Sequence, residues 1–124
     1  MKDMRSHKIL VVDDSKITQK VCQTLLREYT LVYAGDGLEA LRLIAADHEI
    51  ELVLLDLNMP RLGGGDFLDK LKACVKHRHL PVIIISAEQP DHASVQPLLR
   101  HAADYIQKPF EHGKLRAAVE RLFA

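Results

Sequence analysis

The chain alternates short apolar runs with longer stretches in which apolar residues recur every three or four positions. Three runs are continuous, Ile9-Leu10-Val11-Val12, Leu52-Val53-Leu54-Leu55 and Val82-Ile83-Ile84-Ile85, as expected of strands buried on both faces of a parallel sheet. A weaker run, Leu31-Val32-Tyr33-Ala34, and a barely marked one, Tyr105-Ile106, complete a set of five. Helical spacing follows each. Ile17, Val21 and Leu25 predict a core-facing stripe on the first helix, and Leu38, Leu41 and Ala45 one on the second. Phe67, Leu68, Leu71 and Val75 mark the third, and Leu115, Ala118, Val119 and Leu122 the last. Asp36 followed by Glu39 resembles a capping box opening the second helix. The pattern is βα repeated five times, which implies a mostly parallel sheet with helices on both faces.

The fourth helix is the irregular one, because Pro90 and Pro97 both fall between Ser86 and His101. Proline is tolerated in a first helical turn, where its amide would lack a partner anyway. The expectation is a short helix beginning near Val95 with Ser94 as N-cap and Pro97 in its first turn. Residues Glu88 to Ala93 would then be irregular.

Composition narrows the possible roles. The 124 residues fit one domain, and 48% hydrophobic with 27% charged residues is ordinary globular composition. Seventeen basic residues balance seventeen acidic ones, so no bulk charge draws the chain to nucleic acid or to an anionic membrane. No apolar run approaches the roughly 18 residues of a membrane span, and residues 1–10 lack a signal-peptide core. Cys22 and Cys74 fall on predicted helices and read as small core residues in a reducing cytoplasm. His77 and His79 flank Arg78 in a polar stretch and read as surface residues, with no acid or cysteine at ligand spacing.

In an open parallel sheet, ligands bind beyond the carboxyl ends of the strands. Asp13 and Asp14 follow the first run, Asp56 the third, Ser86-Ala87 the fourth and Lys108-Pro109 the fifth. Any one of these has an ordinary explanation; Asp14 or Ser15 could simply cap the first helix. Independent caps would not, however, set a lysine and a hydroxyl beside the acids. Two unit charges 4 Å apart repel by about 1 kcal/mol in water and about 4 at an effective dielectric near 20. A hard divalent cation removes that penalty, and oxygen ligands select Mg²⁺ or Mn²⁺ over zinc.

These segments resemble, in order and spacing, the receiver domain of two-component response regulators. The resemblance is carried by Ile9 to Ser15, Ala34 to Leu41, Leu54 to Pro60, Ile84 to Ala87, and Ala103 to Phe110. It implies one receiver domain over residues 1–124, with a doubly wound, five-stranded parallel α/β sheet in the flavodoxin-like order 2-1-3-4-5. Asp56 then matches the phosphoacceptor, which takes a phosphoryl group from a sensor histidine kinase or a histidine phosphotransfer protein. Asp14, Asp56 and the Asn58 backbone carbonyl match Mg²⁺ ligands, with Asp13 acting through water. Lys108, Ser86 and the Ala87 amide match groups that hold the phosphoryl oxygens, Ser86 and Tyr105 the switch pair, and Asn58 and Glu88 the positions that tune dephosphorylation.

The resemblance further implies a cytoplasmic signalling switch, with a separate output domain or protein and possible homodimerisation on activation. It implies no direct nucleic-acid or membrane binding by the domain itself. The chain departs from the family pattern in three places. Arg61-Leu62-Gly63-Gly64-Gly65 stands where Asp-Gly is common, and its glycines suggest a left-handed turn. His101-Ala102-Ala103 replaces a usual Gly-Ala pair, and Pro97 predicts an output face of unusual shape. Two other readings compete with this one. An aspartate-nucleophile phosphatase would place a second acid where Asn58 stands and would need a cap domain. A receiver-like scaffold without phosphorylation would have no use for such a charge cluster.

Overall fold

The computed structural model describes residues 7–57, 63–109 and 111–124. Five strands, β1 (Lys8–Val12), β2 (Thr30–Ala34), β3 (Ile50–Asp56), β4 (Val82–Ser86) and β5 (Asp104–Gln107), form one sheet in the order β2-β1-β3-β4-β5. Every neighbouring pair is parallel, so all five strands end on the same edge. This is the expected flavodoxin-like architecture.

Alternation along each strand sends successive residues to opposite faces. Ile9, Val11, Leu52, Leu54, Ile83 and Ile85 pack against α1 (Lys16–Leu25) and α4 (His112–Phe123) through Cys22, Leu115, Ala118 and Val119. Leu10, Val12, Val53, Leu55, Val82 and Ile84 pack on the other face against α2 (Gly37–Ala46) and α3 (Gly64–Ala73), through Ala40, Ile44, Phe67, Leu68 and Leu71. Among the described residues no helix is long and apolar enough to cross a membrane.

Several expectations about helix faces are corrected. On α1 the buried residues are Thr18 and Cys22, continued by Leu26 at the C-cap, while Ile17 is 78% exposed and Val21 and Leu25 are half-buried. The buried row is thus displaced by one residue from the predicted one. The Ser15 hydroxyl, which accepts from the Thr18 amide, fixes where the first turn begins and so sets the phase. On α2 the buried positions are Gly37, Ala40 and Ile44, whereas Leu38 and Ala45 are exposed and Leu41 is half-buried. The Asp36 carboxylate accepts from the Glu39 amide as predicted, but Glu39 reaches back to the Gly35 amide, one residue earlier than a capping box requires. α3 stops at Ala73, leaving Val75 71% exposed and Cys74 as the C-cap outside the helix.

The fourth connection is a 3₁₀ segment, Gln96–His101, with Val95 rather than Ser94 at its cap and Pro97 at its start. Ser94 instead bonds the His92 imidazole. Regular α-helix is absent from Gln89 to His101, as the prolines require. The glycine run is also corrected: among the described residues no glycine has positive φ. Gly64 serves close approach, since a Cβ there would lie 2.6 Å from the Leu57 Cα and 2.7 Å from the Asp56 carbonyl oxygen.

Candidate functional site

Strand register brings the polar residues to one rim. Val12 pairs with Leu55, so Asp13 emerges level with Asp56, the last residue of β3. Asp56 pairs with Ile85 and Ser86 with Gln107, which sets Ser86 one step and Lys108 two steps further along the same edge. Asp13, Asp14 and Asp56 each present a carboxylate oxygen within 4.8 Å of the others, with Asp13 and Asp56 buried and Asp14 exposed. The Lys108 ammonium lies 3.0 Å from Asp13 Oδ2 and 3.8 Å from Asp56 Oδ1. Among the described residues this is where three or more metal-ligating side chains gather.

The surrounding backbone holds these groups in place. The Asp13 amide donates to the Ala34 carbonyl at 3.0 Å, and Asp13 Oδ1 accepts from the Ser15 amide at 2.8 Å. Gln19 donates its side-chain amide to the Asp13 carbonyl at 2.8 Å. Lys108 is anchored by its own amide, which donates to the Ser86 carbonyl at 2.7 Å, and is followed by a cis peptide bond to Pro109. Gly64 donates to the Leu57 carbonyl at 3.2 Å, tying the start of α3 to the end of β3.

Ser86 is fully buried, and its hydroxyl accepts from the Glu88 amide at 3.1 Å. Ala87 is exposed and Glu88 half-buried. The half-buried Tyr105 donates its hydroxyl to the Glu88 carbonyl, so that residue links the predicted switch pair. Beneath the acids, burial, reinforced by the Asp13 carboxylate, pushes the Cys22 thiol up to about 11, which makes it an inert core group at neutral pH. Asn58, together with Met59, Pro60, Arg61, Leu62 and Phe110, lies outside the described residues.

Three carboxylates against one ammonium leave an excess of negative charge in a partly buried rim. The donors are all hard oxygens, which fits Mg²⁺ or Mn²⁺ and disfavours softer metals. The structure brings together Asp13, Asp14, Asp56 and Lys108 from the predicted set, and places Ser86 at the end of the adjoining strand. Gln19 and Gly64 are contributors that pattern alone did not reveal. A glutamine four residues into a helix has no distinctive signal, and a glycine run points to turns more readily than to packing. His48, His77 and His79 line a cleft with Asp47 and Lys76 near the start of β3, away from this rim.

The sequence matches the profile of the response regulator receiver domain over residues 9–120. It is 31% identical to chemotaxis protein CheY-3 of Vibrio cholerae over 122 residues, which is 96% of this chain and 93% of that protein. It is 33% identical over 118 residues to response regulator SaeR of Staphylococcus epidermidis, covering 94% of this chain but spanning only half of the relative. The signal receiver domain of a histidine kinase from Syntrophus aciditrophicus superposes with a TM-score of 0.84 at 29% identity, covering 94% of this chain and 89% of that one. With five parallel strands in the order β2-β1-β3-β4-β5 and an acidic triad facing a lysine at their ends, the chain belongs to the response regulator receiver family.

Proposed function

We propose that this chain is a phosphorylation-controlled switch of two-component signalling, with Asp56 as phosphoacceptor. The observation that carries the reading is the meeting of Asp13, Asp14 and Asp56 within 4.8 Å, with Lys108 reaching both Asp13 and Asp56. A buried carboxylate beside an ammonium is a nucleophile whose charge is balanced as a second anion approaches. An Asp56 oxygen would attack phosphorus while the bond to the donor's leaving group breaks, leaving an acyl phosphate. Lys108 would follow the transferred oxygens, the Ser86 hydroxyl and the Ala87 amide would donate to them, and Tyr105 would move with Ser86. Asp14, Asp56 and the Asn58 carbonyl would hold Mg²⁺ or Mn²⁺, with Asp13 acting through water. The cation supplies charge neutralisation between carboxylates and phosphoryl oxygens. Hydrolysis returns Asp56 to its carboxylate, and Asn58 and Glu88 set the rate.

The donor in this reading is a phosphohistidine on a sensor kinase or phosphotransfer protein. The outward face of α1 supports a protein donor, because the helix begins two residues after Asp14 and shows Ile17, Val21 and Leu25 flanked by Lys16 and Lys20. The phosphorylated form would act in the cytoplasm on an output domain or protein, with homodimerisation as one route. Pro97 and the 3₁₀ segment give the expected output face its own shape. Incubation with acetyl phosphate and Mg²⁺ should add one phosphoryl group, detectable by intact mass. Asp56→Asn or omission of Mg²⁺ should abolish the gain. No gain on the wild-type chain would favour the scaffold, and multiple turnover of a generic phosphate ester without labelling of Asp56 would favour the phosphatase.

A further inference from the structure

We propose that His92 is a positioning residue that tethers the Glu88 carboxylate and thereby lengthens the lifetime of phosphorylated Asp56. The inference rests on the phosphoacceptor reading and assigns a role to a residue that reading does not use. Glu88 is a junction in the loop after β4. Its amide donates to the Ser86 hydroxyl, its carbonyl accepts from Tyr105, and its carboxylate Oε2 lies 3.5 Å from His92 Nε2. The imidazole is itself oriented from the other side, where Nδ1 accepts the Ser94 amide at 3.1 Å and contacts the Ser94 hydroxyl at 2.7 Å. With Nδ1 occupied as an acceptor, the neutral ring carries its proton on Nε2, facing Glu88. The His92 backbone is fixed too, since its amide donates to Gln89 and its carbonyl accepts from Val95 and Gln96. Glu88 is therefore held toward the loop by a ring that cannot easily turn away.

The consequence follows from the chemistry of decay. Hydrolysis forms a bond from a water oxygen to phosphorus and breaks the bond from phosphorus to the Asp56 oxygen, giving carboxylate and inorganic phosphate. The water's surplus proton needs an acceptor, and Glu88, two residues beyond Ser86, offers a carboxylate on the loop that follows β4. Tethering Glu88 to His92 engages that acceptor elsewhere.

The test is the decay of phosphorylated chain, prepared with acetyl phosphate and Mg²⁺, in the wild type, His92→Ala, Glu88→Ala and the double variant. His92→Ala should shorten the lifetime by about two- to fivefold, the scale of one exposed side-chain hydrogen bond. In the Glu88→Ala background the same substitution should change it by less than about half that factor. An unchanged or longer lifetime in His92→Ala, or equal acceleration in both backgrounds, would overturn the tether. A second readout needs no phosphorylation: imidazole ¹⁵N shifts of the resting chain should report the Nε2–H tautomer of His92 and should move in Glu88→Ala. An Nδ1–H tautomer, or no response to Glu88→Ala, overturns the proposal. Failure of the wild type to take up phosphate would strike the phosphoacceptor reading instead.

Discussion

At the scale of single residues, the acidic rim depends on contacts of very different visibility. Gly64 is the clearest case of a hidden one. Its backbone lies so close to Asp56 and Leu57 that a methyl group would meet main-chain atoms at 2.6 and 2.7 Å, and main chain cannot rotate aside. Gly64→Ala should cost about 1–3 kcal/mol through overpacking. Gly65→Ala meets only Leu98 methyls, the nearer at 3.6 Å, and should be neutral or stabilising by about 0.5 kcal/mol. Urea unfolding of the two variants checks the contrast; equal midpoints would refute it. The carboxylates, by comparison, were legible from sequence alone, because each directly follows an apolar run and strand ends converge in a parallel sheet. What made Gly64 illegible is that packing between segments leaves no trace in local spacing.

At the scale of elements, strand positions are legible in the sequence and helix phases are not, for a physical reason. A strand buried on both faces needs only continuous apolar residues, whereas a helix needs the right face turned inward. On α1 both Ile17-Val21-Leu25 and Thr18-Cys22-Leu26 run at four-residue steps, and apolarity alone selects the first. The Ser15 cap selects the second, and Cys22 packs within the cluster formed by Ile9 and Val11. Ile17→Ala should therefore change stability by no more than about 0.5 kcal/mol, as for other surface sites. Leu26→Ala, at a fully buried position, should cost about 2–5 kcal/mol. Reversed costs in thermal or chemical unfolding would restore the sequence-based phase. The fourth connection was legible in its essentials because proline acts locally, but the 3₁₀ geometry and the cap at Val95 were not, since Ser94 bonds the His92 ring instead of capping the turn.

At the scale of the whole molecule, the sheet gathers like charges at one end and leaves cohesion to the apolar layers on its two faces. Removing one of the three acids should therefore relieve repulsion in metal-free buffer, so Asp14→Asn should stabilise the fold by about 1 kcal/mol. Millimolar Mg²⁺ should raise the wild-type melting temperature and raise that of the variant less, since a ligand bound only to the folded state stabilises it. A destabilised Asp14→Asn in metal-free buffer would contradict this account. The other pole of the sheet is built differently. His7, just before β1, stacks on Phe123 in the last turn of α4 with centroids 4.2 Å apart, and its Nδ1 lies 2.9 Å from a Glu51 oxygen. The two ends of the fold are thereby clasped side by side, remote from the acids. Any polypeptide joined after Ala124 would emerge beside that clasp, and news of a modified Asp56 would have to cross a strand length of about 17 Å to reach it. The sheet would then serve as a transmission rod between a chemical pole and a mechanical one.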